Sequence, residues 1–161
     1  MADRTDEHPQ KQSYQSLLSR LVEKAEAMTA LLITKEGSNL AEAGDTTYLN
    51  TTAVAALIAG MFTATREVAR MVGERQFSIL LQQGENRHIH ISLVTNEVMM
   101  VVVFEDYQRI GRVRHEARRV GAEVTELLLE RRDTEVARDE ISVPEFKEYA
   151  LNLIDRIFVT K

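Results

Sequence analysis

Four groups of residues in this 161-residue chain are of types that can do chemistry. His88 and His90 stand two apart in the run RHIHISLVT, so on a strand their imidazoles share one face and could offer two ligands to a metal. Glu105 and Asp106 are adjacent acids, which invites an acid–base reading. Arg109, Arg112, Arg114, Arg118 and Arg119 form a cationic run of the kind that holds phosphates. Thr63, Thr65, Arg66 and Arg70 place hydroxyls and guanidiniums on one helical segment.

Each group also has a plainer reading. No third ligand stands with the two histidines, and a pair facing solvent or a partner is the commoner arrangement. Neighbouring residues on a strand point opposite ways, so Glu105 and Asp106 do not converge there. Glu116, Glu123 and Glu126 interleave with the arginines, as on a solvated helix face. The threonines and arginines have no base or nucleophile beside them. There is no GxxxxGK[ST] phosphate loop, no HExxH and no GxSxG. With no cysteine, disulfides and thiolate metal sites are excluded. The residues thus predict neither an active site of the chain's own nor a cofactor or metal.

Composition narrows the class. Apolar residues are 44% and charged residues 28%, the balance of an ordinary globule. A chain of this length suits one domain, burying about 68–70% of its unfolded surface. A net charge of −5 argues against general nucleic-acid binding. The first twenty residues are polar, which predicts no signal peptide. The apolar runs read as too short to span a bilayer. A cytoplasmic protein without membrane insertion is the expectation.

The elements follow from periodicity. Residues 1–12 read as a flexible tail. Ser13 can cap a helix to about Met28, with Tyr14, Leu17, Leu18, Leu21, Val22 and Ala25 on its stripe. TALLIT and Asn39–Ala43 read as two strands around a turn at Gly37, the second at an edge. The run from Leu49 to Gly73 predicts the central helix, capped by Asn50 and closed by Gly73. Val54, Leu57, Ile58, Met61, Val68 and Val72 form its expected core stripe. A second face holds Ala53, Ala56, Gly60 and Ala64. Glycine inside a helix costs about 1 kcal/mol relative to alanine, so something approaches closely there, either within the chain or from a partner.

Three strands follow: Phe77–Gln83, Arg87–Thr95 and Val98–Phe104. The last, VMMVVVF, is apolar on both faces and belongs mid-sheet. The turn at Asn96 suits positive φ. Their short turns cannot hold parallel crossovers, so the sheet is antiparallel. A third helix runs from Ile110 to about Leu129, with Arg112–Glu116 and Arg119–Glu123 as expected i,i+4 pairs on its outer face. ERRDTEVARDE (130–140) reads as a charged linker. Ser142 and Glu145 then form a capping box for an amphipathic helix over 141–159, with the stripe Phe146, Tyr149, Leu153, Ile154, Ile157 and Phe158. That stripe either folds back on its own domain or docks on a partner.

Taken together, ALLITKEGSNLAEAG, LNTTAVAALIAG, ARMVGERQF and MMVVVFEDYQRIGRVRHEARR, in this order across Ser13–Leu129, resemble the roadblock family of dynein light chain-like domains. They look most like its bacterial MglB-type regulators of Ras-like GTPases, and EISVPEFKEYALNLIDRIF resembles the segment that follows the domain in some of them. The resemblance implies an α+β fold, α-β-β-α-β-β-β-α with a five-stranded antiparallel sheet, plus a tethered C-terminal amphipathic helix. It implies a homodimer through the central helix and the Phe77–Gln83 strand. It further implies that the paired helices receive a small Ras-like, MglA-type GTPase and stimulate its GTP hydrolysis without an arginine finger, in bacterial cell polarity or motility. The alternative is a non-catalytic scaffold holding a GTPase or a larger assembly. Carried onto this chain, the GTPase-facing residues are Ala56, Ala59, Gly60, Thr63, Arg66, Glu67 and Arg70. Met61, Thr63, Arg66 and Glu67 are bulkier or more charged than the resemblance leads one to expect.

Overall fold

A computed structural model describes the backbone over residues 7–158 and the side chains of Lys11 and of residues 13–136. The chain divides into two compact units, Met1–Thr125 and Glu126–Lys161.

The first unit is built around one strand. β5 (Val98–Phe104) is buried at all seven positions, so it needs a strand on each side and a layer on each face. The sheet order supplies the strands: β2 (Asn39–Gly44), β1 (Thr29–Thr34), β5, β4 (His88–Leu93), β3 (Ile79–Gln83), antiparallel throughout. Leu31 lies opposite Val101, and Val101 opposite Ile91. Alternation sends that row to one face and Ala30, Val102 and His90 to the other.

On the first face lies α2 (Thr51–Met71), which packs Ala55, Ile58, Ala59 and Phe62 on Leu31, Ile33, Ile91, Met99 and Val101. Asn50 caps it as expected, its side-chain oxygen accepting the Ala53 N–H at 3.0 Å. Gly73, at φ +89, ends it, and the Glu74 N–H reaches back to the Ala69 carbonyl. On the other face lie α1 (Glu7–Ala25) and, of the helix α3 (Ile110–Phe158), the part up to residue 125, burying Leu18, Leu21, Val113, Ala117, Val120 and Val124. Within this unit an Arg20–Glu123 ion pair ties the two helices, and Glu26, just past the end of α1, pairs with Arg109 and with Arg112 at the start of α3.

Several expectations are corrected. α1 begins at Glu7, not Ser13, so residues 7–12 are helix rather than tail, and residues 1–6 lie outside the described residues. Pro9 falls in the first turn, where no N–H is needed. Residues 130–140 are helical rather than irregular: the segment is polar, but it lacks Gly and Pro and is rich in helix formers. Arg131 and Glu135 pair there at 2.8 Å. Pro144 falls inside α3 rather than in the first turn of a separate helix, forfeiting one helical hydrogen bond. Asn96 has no positive φ; the Thr95 hydroxyl oxygen makes that turn by accepting from the Glu97 and Val98 N–H groups. α2 departs from its expected stripe: Ile58 is buried, but Leu57, Val68 and Val72 are exposed. Small Ala55 and Ala59 let the helix lie close to the sheet, which turns the larger residues outward. By length and composition α2 is also apolar enough to cross a membrane, contrary to the sequence reading; its inner face forms one layer of the domain core.

Gly44 holds a junction between these layers. Its φ is +83, and a Cβ would lie 2.2 Å from the Met28 carbonyl oxygen. Gly44→Ala combines left-handed strain of about 1–2 kcal/mol with a clash against backbone. A loss of about 3 kcal/mol is expected in chemical denaturation; a loss below about 1 kcal/mol would show that the junction gives way freely.

Candidate functional site

The outer face of α2 is the exceptional surface of the first unit. Residues at intervals of three and four form a strip: Ala53, Leu57, Gly60, Ala64, Val68 and Met71. Leu57 is 72% exposed, Val68 59%, Met71 86% and nearby Val72 77%. Lone exposed apolar residues are ordinary, but three on one helix with a fourth at its end form a patch of the kind that marks an interaction surface. At its centre, a Cβ on Gly60 would meet nothing within 4 Å. Among the described residues nothing therefore calls for glycine there.

Beside the strip runs a polar flank: Ala56, Gly60, Thr63, Glu67 and Arg70, again at intervals of four and three and all exposed. The Thr63 hydroxyl donates to the Ala59 carbonyl at 2.9 Å, so its methyl and oxygen lie along the helix. Arg70 pairs with Glu67 at 2.6 Å. Arg66 is half-buried on the sheet side of the flank. Ala59 does not belong to this surface: it is 4% exposed and packs in the core with Ile58 and Phe62. The expectation that Ala59 faces a partner is corrected: the rotation of α2 turns it onto the sheet.

The flank continues into two turns. The β1–β2 turn is pressed on α2, since a Cβ on Gly37 (φ +91) would lie 2.8 Å from the Ala56 Cα. The Lys35 N–H donates to the Glu97 carbonyl at 2.9 Å, and the Lys35 ammonium meets the Glu97 carboxylate at 2.6 Å. That joins the β1–β2 turn to the β4–β5 turn. The Glu97 hydrogen bond holds the Lys35 pKa above its ordinary value, with Arg66 acting in the opposite sense. At the far side of the sheet, β3 pairs among the described residues only with β4, which leaves its outer edge open there, and Ile79 is 41% exposed. This strand is two residues shorter than expected; Phe77 lies before it and stacks on Phe62 with centroids 5.0 Å apart.

The other chemical candidates take structural places. His88 and His90 face neither solvent nor an open edge: they are 4% and 1% exposed. β4 lies inside the sheet, and α3 covers that face. His88 stacks on Phe104 and meets Tyr107 edge-on, each with centroids 5.2 Å apart. Burial, aided by the Arg114 charge, pushes the His90 pKa down to about 4. Among the described residues no group of three His, Cys, Asp or Glu could hold a metal. Glu105 lies 3.8 Å from Arg87, and Asp106 caps a 3-10 turn (Tyr107–Arg109) by accepting the Gln108 N–H at 3.0 Å. Arg112 pairs with Glu26 rather than Glu116. Glu116 is buried, whereas Arg119 meets Glu123 at 4.0 Å as expected. The stripe Phe146, Tyr149, Leu153, Ile154, Ile157 and Phe158 lies outside the residues whose side chains are described.

The apolar strip escaped the sequence reading, which assigned Leu57, Val68 and Val72 to the core. The signal was there: α2 is apolar over an arc wider than one sheet can cover.

Residues 14–104, more than half of the chain, match the family model of the Roadblock/LC7 domain. The fold is similar to that of Myxococcus xanthus MglB, at 25% identity and a TM-score of 0.71, covering 81% of this chain and 94% of that one. It is similar also to the gliding protein MglB of Thermus thermophilus (23% identity, TM-score 0.69, 76% and 93% covered). A Roadblock/LC7 domain from Streptomyces avermitilis matches at 17% identity with a TM-score of 0.64, covering 71% and 97%. No curated protein sequence matches the chain. Fold and sequence agree, and the chain belongs to the Roadblock/LC7 domain family.

Proposed function

We propose that this protein is a homodimeric regulator of a small Ras-like GTPase of the MglA type, and that it stimulates GTP hydrolysis. The observation that carries this is Gly60, a costly residue whose Cβ would meet nothing within 4 Å among the described residues, set in an exposed apolar strip. A second copy covers the strip, bringing two α2 helices together, and the open edge of β3 joins the two sheets. The polar flanks of the two helices then lie on either side of the seam and receive the GTPase. Likeness to MglB supports this assignment.

Stimulation is by selection: the dimer binds the hydrolysis-ready arrangement of the GTPase better than the others and shifts its population. It donates no arginine finger. Arg70 is already engaged by Glu67, and Arg66 is half-buried. In single-turnover GTP hydrolysis, the protein is expected to accelerate an MglA-type GTPase about tenfold or more. With the GTPase saturated by the protein, so that any loss of binding is not read, Arg66→Ala and Arg70→Ala should each keep the acceleration within about threefold, because removing an arginine finger costs about 10³–10⁵. Tight binding with an unaccelerated rate would leave a scaffold instead.

A further inference from the structure

We infer that the β1–β2 and β4–β5 turns, through Lys35, Glu36 and Glu97, form a second part of the GTPase-facing surface and select which GTPase binds. This rests on the function proposed above. Three observations support it. The β1–β2 turn is seated on the polar flank of α2, with backbone against backbone at Gly37 and Ala56, so the two present one continuous surface. The turn is held in place by the Lys35 N–H to the Glu97 carbonyl and by Thr34, whose N–H donates to the Ser38 carbonyl at 2.8 Å. The charged groups on it remain exposed: Lys35 at 2.6 Å from Glu97 and 4.0 Å from Glu36, with Arg66 of α2 close enough to act on Lys35.

The chemistry of this patch suits recognition better than support. Backbone hydrogen bonds already fix the turns, and an exposed ion pair adds little to folding. What it adds is a fixed order of charges beside an apolar strip, the polar rim of an interface. Such a rim steers association and rejects partners of the wrong charge order. The partner is therefore a GTPase whose contact surface carries the opposite order: a carboxylate to meet Lys35 and Arg66, and a cation to meet Glu36 and Glu97.

The test exchanges the charges without breaking the pair. Lys35→Glu with Glu97→Lys keeps the intramolecular ion pair and inverts what the partner meets. The probe is a panel of MglA-type GTPases loaded with a non-hydrolysable GTP analogue, with capture and association rate measured at two salt concentrations. The exchanged variant should keep the wild-type melting temperature but lose about tenfold or more in affinity for the GTPase that wild type captures, mostly in association rate and most strongly at low salt. Affinity retained by the exchanged variant overturns the inference. If the single variants lose binding and the exchanged variant regains it, the pair acts only within the chain, and the inference also falls. Capture of no GTPase by wild type, or capture unaffected by Gly60→Arg, overturns the underlying function and the inference with it.

Discussion

Gly60→Arg is expected to abolish self-association and GTPase capture while leaving the fold of the single chain intact or slightly more stable. The expectation rests on the open space beyond Gly60, where a Cβ meets nothing within 4 Å. Within one chain the change only removes a glycine from a helix interior, a gain of about 0.8–1 kcal/mol. On the scale of a domain this size, that is about 2–4 °C in melting temperature. In an assembly where two α2 helices meet at their small residues, the same side chain must be accommodated between packed backbones. Overpacking there costs about 1–3 kcal/mol, and burying an unpaired guanidinium costs more. The opposite signs separate the two settings. Sedimentation over a range of concentrations reads the association, and thermal unfolding in dilute solution reads the single chain. An unchanged association constant would remove Gly60 from any interface. Gly44→Ala is the contrast: that glycine is fixed by its own chain's backbone, so its loss falls on folding.

How much of this surface could be read in advance depended on what decides each feature. β5 was legible because an unbroken apolar run of seven residues has one stable place in a layered fold, and burial of VMMVVVF at every position follows. The ends of α2 were legible because Asn50 and Gly73 act through local backbone groups. The rotation of α2 was not, because its apolar arc exceeds one contact face. Choosing between Leu57–Val68–Val72 and Ala55–Ala59–Phe62 needs the sheet, whose closeness favours alanine. The helix over residues 130–140 was missed for another reason: dense charge suggests irregular chain, whereas the i,i+4 spacing of Arg131 and Glu135 is a local helical signal. The histidines were misplaced because strand alternation says which residues share a face, not which layer covers it. Ile89 and His90 alternate as expected, yet His90, on the face beneath α3, is the more deeply buried.

That buried histidine makes stability depend on acid. His90 is 1% exposed, and neither ring nitrogen has a hydrogen-bond partner among the described residues. Its pKa is pushed down to about 4 by burial first and by the Arg114 charge second, from an ordinary 6.5. The unfolded chain therefore binds a proton that the folded chain refuses over about pH 4 to 6.5. Its contribution to stability is fully present above pH 6.5, falls as pH is lowered, and levels off below about 4. The window spans about 2.5 units at 1.36 kcal/mol each, so about 3 kcal/mol is expected to be lost across it. His90→Phe keeps a buried aromatic ring and removes the titration, and unfolding free energies of both proteins by denaturant at pH 7, 5.5 and 4.5, read as their dependence on pH, isolate this residue from the carboxylates. The wild type should lose stability relative to the variant steadily down the series. Parallel curves would mean that His90 accepts its proton in place, through an opening of α3 from the sheet that the closed fold does not contain.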